Sequence, residues 1–214
     1  MRLSLTRWTE LGRARDGDRE AWERLAAKYR PPVVAFLVSM GLRDAAQDLA
    51  QEVFVELMER GILGRADRGQ GRFRNLLFGV TRNVGLRHLA QAGKLGRGGP
   101  AVQPLPEGQL PAVTPEQEAL FEREWTLNLL DLALARLERE HPHYHRAIAG
   151  FFLEGASQAA LAQAAGKTAG DIRNYVYRGK KKLLGYLREE AWETCADPAD
   201  YEQEIARLRE TLGG

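Results

Sequence analysis

Residues 44–60 read DAAQDLAQEVFVELMER. Ala46, Leu49, Ala50, Val53 and Leu57 recur in this stretch at three- and four-residue steps, which stacks them on one helical face. Asp48, Glu52, Glu56 and Glu59 follow a different stripe, so the helix carries an acidic edge toward solvent or a partner. The sign then reverses. Between residues 60 and 97 nine Arg or Lys stand against one acid, Asp67, and Phe73 and Phe78 are interleaved with the cations. An acidic helix joined to a basic, aromatic-bearing segment suggests a module that meets two different kinds of partner.

The helical pattern extends in both directions. Trp8 and Leu11 lie at helical spacing before Asp16-Gly17-Asp18 breaks the run. Asp18 is a plausible N-cap for a helix carrying Trp22, Leu25, Ala26 and Tyr29 on one face. Pro31-Pro32 should end or redirect it, and residues 33–40 should form another helix stopped by Gly41. After the acidic helix, GILGRADRGQGRF lacks any periodicity and reads as a Gly- and Arg-rich loop. A helix resumes near Phe73 with Phe73, Leu77, Val80 and Val84 as its inner stripe.

Composition bounds the rest. The 214 residues carry a formal net charge of only +2, so local charge is more informative than the total. The single cysteine, Cys195, excludes an intramolecular disulfide framework and fits a reducing, cytoplasmic setting. No apolar run reaches the roughly 18 residues of a membrane span. The N-terminus is too polar for a secretory signal.

Residues 91–115 hold five Gly and five Pro, the composition of a linker. The expected organisation is therefore all-α, in two small helical domains joined by a flexible Gly/Pro segment. They are residues 1–92, a linker at 93–114, a second domain at 115–190, and an extension at 191–214. Thr114-Pro115-Glu116-Gln117 should form a capping box, starting a helix that runs to about residue 140. Tyr144, Ile148, Phe151 and Phe152 give another amphipathic stripe. In the extension, Asp197-Pro198 resembles a helix start, followed by Tyr201, Ile205, Leu208 and Leu212 as an apolar stripe.

SQAALAQAAG-KTAG-DIRNYVYRGKKKLLGYL, from Ser157, has the layout of a helix-turn-helix. Ala162 is small where two helices must approach, and Gly166 can adopt the left-handed conformation that the turn needs. Ile172, Val176, Gly179 and Leu183 face inward. Asp171, Arg173, Asn174, Tyr177, Arg178 and Lys181 or Lys182 are left facing out. Arg and Asn suit base edges in the major groove, and the Lys run suits phosphates. The plain alternative is a solvated helix on a small bundle; the coincidence of turn glycine, small residue and basic face favours DNA.

This second half resembles region 4, and DLAQEVFVELMERG with GRFRNLLFGVTRN resembles region 2, of the extracytoplasmic-function type of bacterial RNA polymerase sigma factor. The resemblance covers about residues 5 to 190. It implies a promoter-specificity subunit, without catalytic activity or cofactor, that directs polymerase to −10 and −35 elements and assists promoter melting. Asp48, Gln51, Glu52 and Glu56 map to the helix that docks on the polymerase clamp. Arg72, Phe73, Arg74, Asn75, Phe78, Arg82 and Asn83, with the loop at 64–72, map to the surface that meets the −10 element and the displaced strand. Asp171, Arg173, Asn174, Tyr177, Arg178 and Lys181 map to the −35 reading helix. Partners implied are the polymerase core and promoter DNA, with an anti-sigma factor as a further candidate.

The residues leave other readings beside this one. A Phe at helical spacing is more often core, so Phe73 reads first as core and Phe78 stands between core and base contact. A helix-turn-helix regulator that never joins polymerase is the alternative function. A nuclease would need Asp44, Asp48 and Glu52 to hold a metal, and no second carboxylate or His set supports that. His141, His143 and His145 lack a completing ligand, so no metal is expected. No phosphate-binding loop or Ser/His/Asp set is present.

Overall fold

The computed structural model describes residues 13–14, 17–59, 73–95, 113–195 and 197–212, with side chains described to residue 91 in the third segment. The stretches at 1–12, 60–72 and 96–112 lie outside the described residues. With them fall the expected first helix, the Arg-rich loop and most of the expected linker. Among the described residues the chain is all-helical. Its helices are α1 (Arg19–Ser39), α2 (Ala46–Glu59), α3 (Phe73–Leu95), α4 (Pro115–Glu140), α5 (Pro142–Ile148), α6 (Gln158–Ala165), α7 (Ala169–Glu193) and α8 (Pro198–Thr211). A single π turn, Ala149–Leu153, follows α5.

The chain divides into two compact units that differ from the boundaries expected at the Gly/Pro segment. The first comprises residues 1–128 with 194–214, and the second residues 129–193. The helix α4 thus contributes its N-terminal half to the first unit, as does the C-terminal helix α8.

In the first unit, Asp18 caps α1 by accepting from Ala21 N at 3.1 Å. Contrary to expectation, α1 continues through Pro31 and Pro32 to Ser39. Burial explains why. Tyr29, Pro32, Val33, Phe36 and Leu37 all turn inward, and their packing outweighs the lost helical hydrogen bonds. Pro32 has no N–H to offer the Lys28 carbonyl four residues back; Asn128 Nδ2 of α4 donates to that oxygen instead, at 3.1 Å. Gly41, at φ 83°, then takes the left-handed turn that releases the chain toward α2.

The inner stripe of α2 is buried as its spacing predicts: Ala46, Leu49, Ala50, Val53 and Leu57, together with Phe54. An aromatic cluster closes the core. Tyr29 stacks on Trp125 of α4, with centroids 5.1 Å apart and planes 10° apart, and meets Phe73 at 5.2 Å. Phe78 packs on Phe36 at 5.1 Å and on Phe121 at 5.0 Å. The capping box at the start of α4 forms reciprocally: Gln117 N donates to Thr114 Oγ1 at 3.3 Å and Thr114 N to Gln117 Oε1 at 3.0 Å. Gln117 Nε2 also donates to the Ser39 carbonyl that ends α1.

The second unit is built on α5, α6 and α7, with residues 129–140 of α4. Ser157 caps α6. Gly166 (φ 61°) ends it, with Lys167 N donating to Ala162 O at 2.9 Å and Gly166 N to Gln163 O at 3.2 Å. This paired pattern is the left-handed helix stop that glycine adopts without steric cost. Ala147, Ala162, Ile172 and Val176 form the small core, flanked by Phe151, Leu161 and Tyr175. A Cβ placed on Gly179 would meet Ile148 Cδ1 at 2.8 Å and Tyr144 Cβ at 3.1 Å, so glycine sets the close approach of α7 to α5. At the far end, Arg136 of α4 reaches Glu189 of α7 at 2.7 Å, and Tyr186 donates to Glu140 at 2.5 Å.

Candidate nucleic-acid interface

The acidic edge of α2 survives folding with one addition. Asp48, Gln51 and Glu52 are exposed and Glu56 is half-buried. Arg87 of α3 lies across the helix and donates through Nη2 to Glu52 Oε1 and Glu56 Oε2, both at 2.7 Å. Hydrogen bonds to Glu56 and then Glu52 push the guanidinium pKa above its ordinary value, so it stays charged at every accessible pH. Two of the four expected carboxylate and amide groups are therefore pre-positioned by a cation. Nothing local signals this pairing, because Arg87 lies 35 residues from Glu52. On the same helix Val55 and Met58 stand 42% and 50% exposed, adding apolar surface beside the acids.

The set expected at the −10 element separates into surface and core. Arg72 lies outside the described residues. Asn75 and Asn83 are exposed and Arg82 is half-buried on α3; Asn75 and Arg82, seven residues apart, share a face. Phe78 is half-buried in the aromatic cluster with Phe36 and Phe121, rather than free to stack on a base. Phe73 is buried against Tyr29 and Trp125, as its core reading has it.

Arg74 departs most from its expected place on the surface. Its side chain is 2% exposed, with Nη1 2.5 Å from Glu122 of α4 and 3.3 Å from Glu204 of α8. Its Nε and Nη2 have no hydrogen-bond partner among the described residues. Glu204 also accepts from Trp125 Nε1 at 3.0 Å, and Arg207 of α8 lies 3.9 Å from Glu122. Glu122, Trp125 and Glu204 carry no motif. They are joined to Arg74 by tertiary packing alone, so sequence reasoning missed them.

In the second unit α7 presents Arg173, Asn174, Tyr177, Arg178 and Lys181 to solvent, Tyr177 at 69%. Steps of three and four residues align Asn174, Arg178 and Lys181 along one edge. Asp171, expected at the DNA surface, also has a local structural role. Its carboxylate accepts from Thr168 N at 3.0 Å and Thr168 Oγ1 at 2.7 Å, while Asp171 N donates back to Thr168 Oγ1. It caps the first turn of α7, and the Thr168 hydroxyl, then the Thr168 N–H, hold its carboxyl below the usual range. Arg178, Lys181 and Lys182 line, with Tyr144 and Tyr186, a shallow groove of about 510 Å³. Lys180 sits 4.3 Å over the ring of Phe152. His141 and His143 belong to a ring cluster with Tyr144 and Tyr175, and no metal-holding group of His, Cys, Asp or Glu occurs among the described residues.

With this geometry in view, comparison with known families places residues 25–95 under the family model for Sigma-70 region 2. The matched segment begins within α1 and spans α2 and α3. The match covers about a third of the chain, and it is this segment that is similar to Sigma-70 region 2. No curated protein matches the chain. Among the described residues no helix is long and apolar enough to cross a membrane.

Proposed function

We propose that the chain is a promoter-specificity subunit of bacterial RNA polymerase of the extracytoplasmic-function type. The observation that carries this reading is the Sigma-70 region 2 match over α1–α3, which coincides with the exposed acidic edge of α2. On this reading Asp48, Gln51, Glu52 and Glu56 form the polymerase handle, with Val55 and Met58 beside them. Asn75, Arg82, Asn83 and the segment carrying Arg72 meet the −10 element. In the second unit α6 and α7 act as a helix-turn-helix, and Arg173, Asn174, Tyr177, Arg178 and Lys181 read the −35 element. Arg178 and Lys181 suit phosphates; Arg173 and Asn174 suit base edges. The work is recognition and strand stabilisation, with no bond made or broken by the subunit.

Mixing the purified chain with polymerase core tests the reading. Co-elution together with promoter-dependent run-off transcription is the expected result. Duplex binding without co-elution would identify instead a helix-turn-helix regulator that acts alone.

A further inference from the structure

The strongest unexplained feature is the enclosure of Arg74 by a helix that lies outside the region 2 match. The helix α8 begins at Pro198, over a hundred residues beyond the matched segment, yet belongs to the same compact unit. The approach to it is tied to the first residue of α3, because Phe73 N donates to Thr194 O at 3.2 Å. Asp197 then caps α8 by accepting from Asp200 N. The inner face of α8 is narrow: Glu204, Ile205 and Leu208 are its buried residues. Glu204 thus brings a carboxylate, rather than more apolar area, to the centre of the contact.

The chemistry of the enclosure is that of a phosphate site held by substitutes. A guanidinium offers five N–H donors in a rigid fork, suited to carboxylate and phosphate alike. Here Nη1 is taken by Glu122 and Glu204, while the opposite edge, Nε and Nη2, has no acceptor among the described residues. Stability alone is poorly served by this arrangement. A buried ion pair with unfilled donors recovers less than its desolvation cost, and an apolar trio would pack the site better. Exchange for a nucleic-acid phosphate accounts for both the charge and the unfilled edge.

We propose that α8 is an intramolecular cover over a phosphate-binding position, and that displacing it delivers Arg74 to the backbone of single-stranded DNA. This deepens the promoter-opening role and rests on that reading. The cover keeps the free subunit from holding DNA away from polymerase. Glu204 is the latch, and Ile205 and Leu208 are the weak apolar hinge that lets it release.

The test uses the full chain with Glu204→Gln. Glutamine retains an acceptor for Trp125 Nε1 and removes the buried one of the two charges that hold Arg74. Affinity for a labelled single-stranded oligonucleotide of mixed sequence should rise roughly tenfold, the scale of one charge-assisted contact. The dependence of log affinity on log salt should steepen by about 0.7, as one added phosphate requires. Adding Arg74→Gln to this variant should return both values to those of the parent chain. In the unaltered protein, saturating oligonucleotide should reduce hydrogen-exchange protection across α8, a readout independent of any variant's stability. Unchanged affinity and salt slope in a folded Glu204→Gln chain, or full protection of α8 in the DNA complex, overturns the cover. Loss of co-elution with polymerase by the parent chain overturns the sigma reading, and the oligonucleotide comparison does not depend on it.

Discussion

Arg74 takes a full positive charge to a place where 2% of its side chain meets solvent. Truncating it removes the cation that sits between Glu122 and the buried Glu204. Arg74→Ala should cost about 3–5 kcal/mol by urea unfolding. Arg82→Ala, on the half-buried side of the same helix, should stay within about 0.5 kcal/mol while weakening DNA binding. Equal small losses in the two variants would show that the Arg74 enclosure contributes little to folding. Glu140 shows the same physics at an exposed edge. The Tyr186 hydroxyl, then Arg136, lower its carboxyl from an ordinary 4.5 to about 2. A depressed carboxyl contributes stability above its unfolded value, and the contribution is lost as pH falls from about 4.5 through about 2. Melting temperatures across that window should fall less steeply for Glu140→Gln than for the parent chain. Parallel curves would remove Glu140 from the acid response.

At the scale of elements, what could be read in advance was local. Asp18, Thr114 with Gln117, and Asp197 all cap the helices that follow them, because a cap is decided within three residues. The inner stripe of α2 is buried as its periodicity demands. The expectation for Pro31-Pro32 differed because it weighed local backbone chemistry without the burial that holds α1 together. The capping role of Asp171 was missed for a related reason: outward position on a helix does not distinguish a first-turn cap from other surface residues. Packing between elements was legible at Gly179 only as an inward position, without the partner it meets. Gly179 is where α7 touches α5, and Gly179→Ala would press a methyl on Tyr144 Cβ and Ile148 Cδ1. Overpacking of about 1–3 kcal/mol, against up to about 1 kcal/mol of regained helix propensity, predicts a net loss near 1 kcal/mol. A higher melting temperature for this variant would mean that the contact has slack.

Across the whole molecule, charge is distributed by unit and by face, which a net value of +2 conceals. The first unit presents acids on α2, and the second presents cations along α7. Glu52→Arg should therefore weaken polymerase co-elution by tenfold or more, roughly the scale of a reversed contact, and leave duplex affinity nearly unchanged. Arg173→Ala should do the reverse, relaxing upstream-element preference by about 1–3 kcal/mol at one base position. Circular dichroism of both variants must match the parent; variants that merely unfold would defeat the division of roles. The unit boundary itself was hidden from composition. Trp125 and Glu204 attach their helices to the first unit through contacts that no linker signal announces.

The Lys28 carbonyl has one more consequence. A proline at position 32 silences the donor that an ordinary helix would supply there, and the side-chain amide of Asn128 answers in its place. The two residues thus work as lock and key made from a missing hydrogen, and α1 recognises α4 through backbone rather than side-chain identity. Restoring an N–H at 32 would make the amide redundant. Removing the amide while Pro32 remains would take from that part-buried carbonyl a hydrogen bond that residue 32 cannot supply.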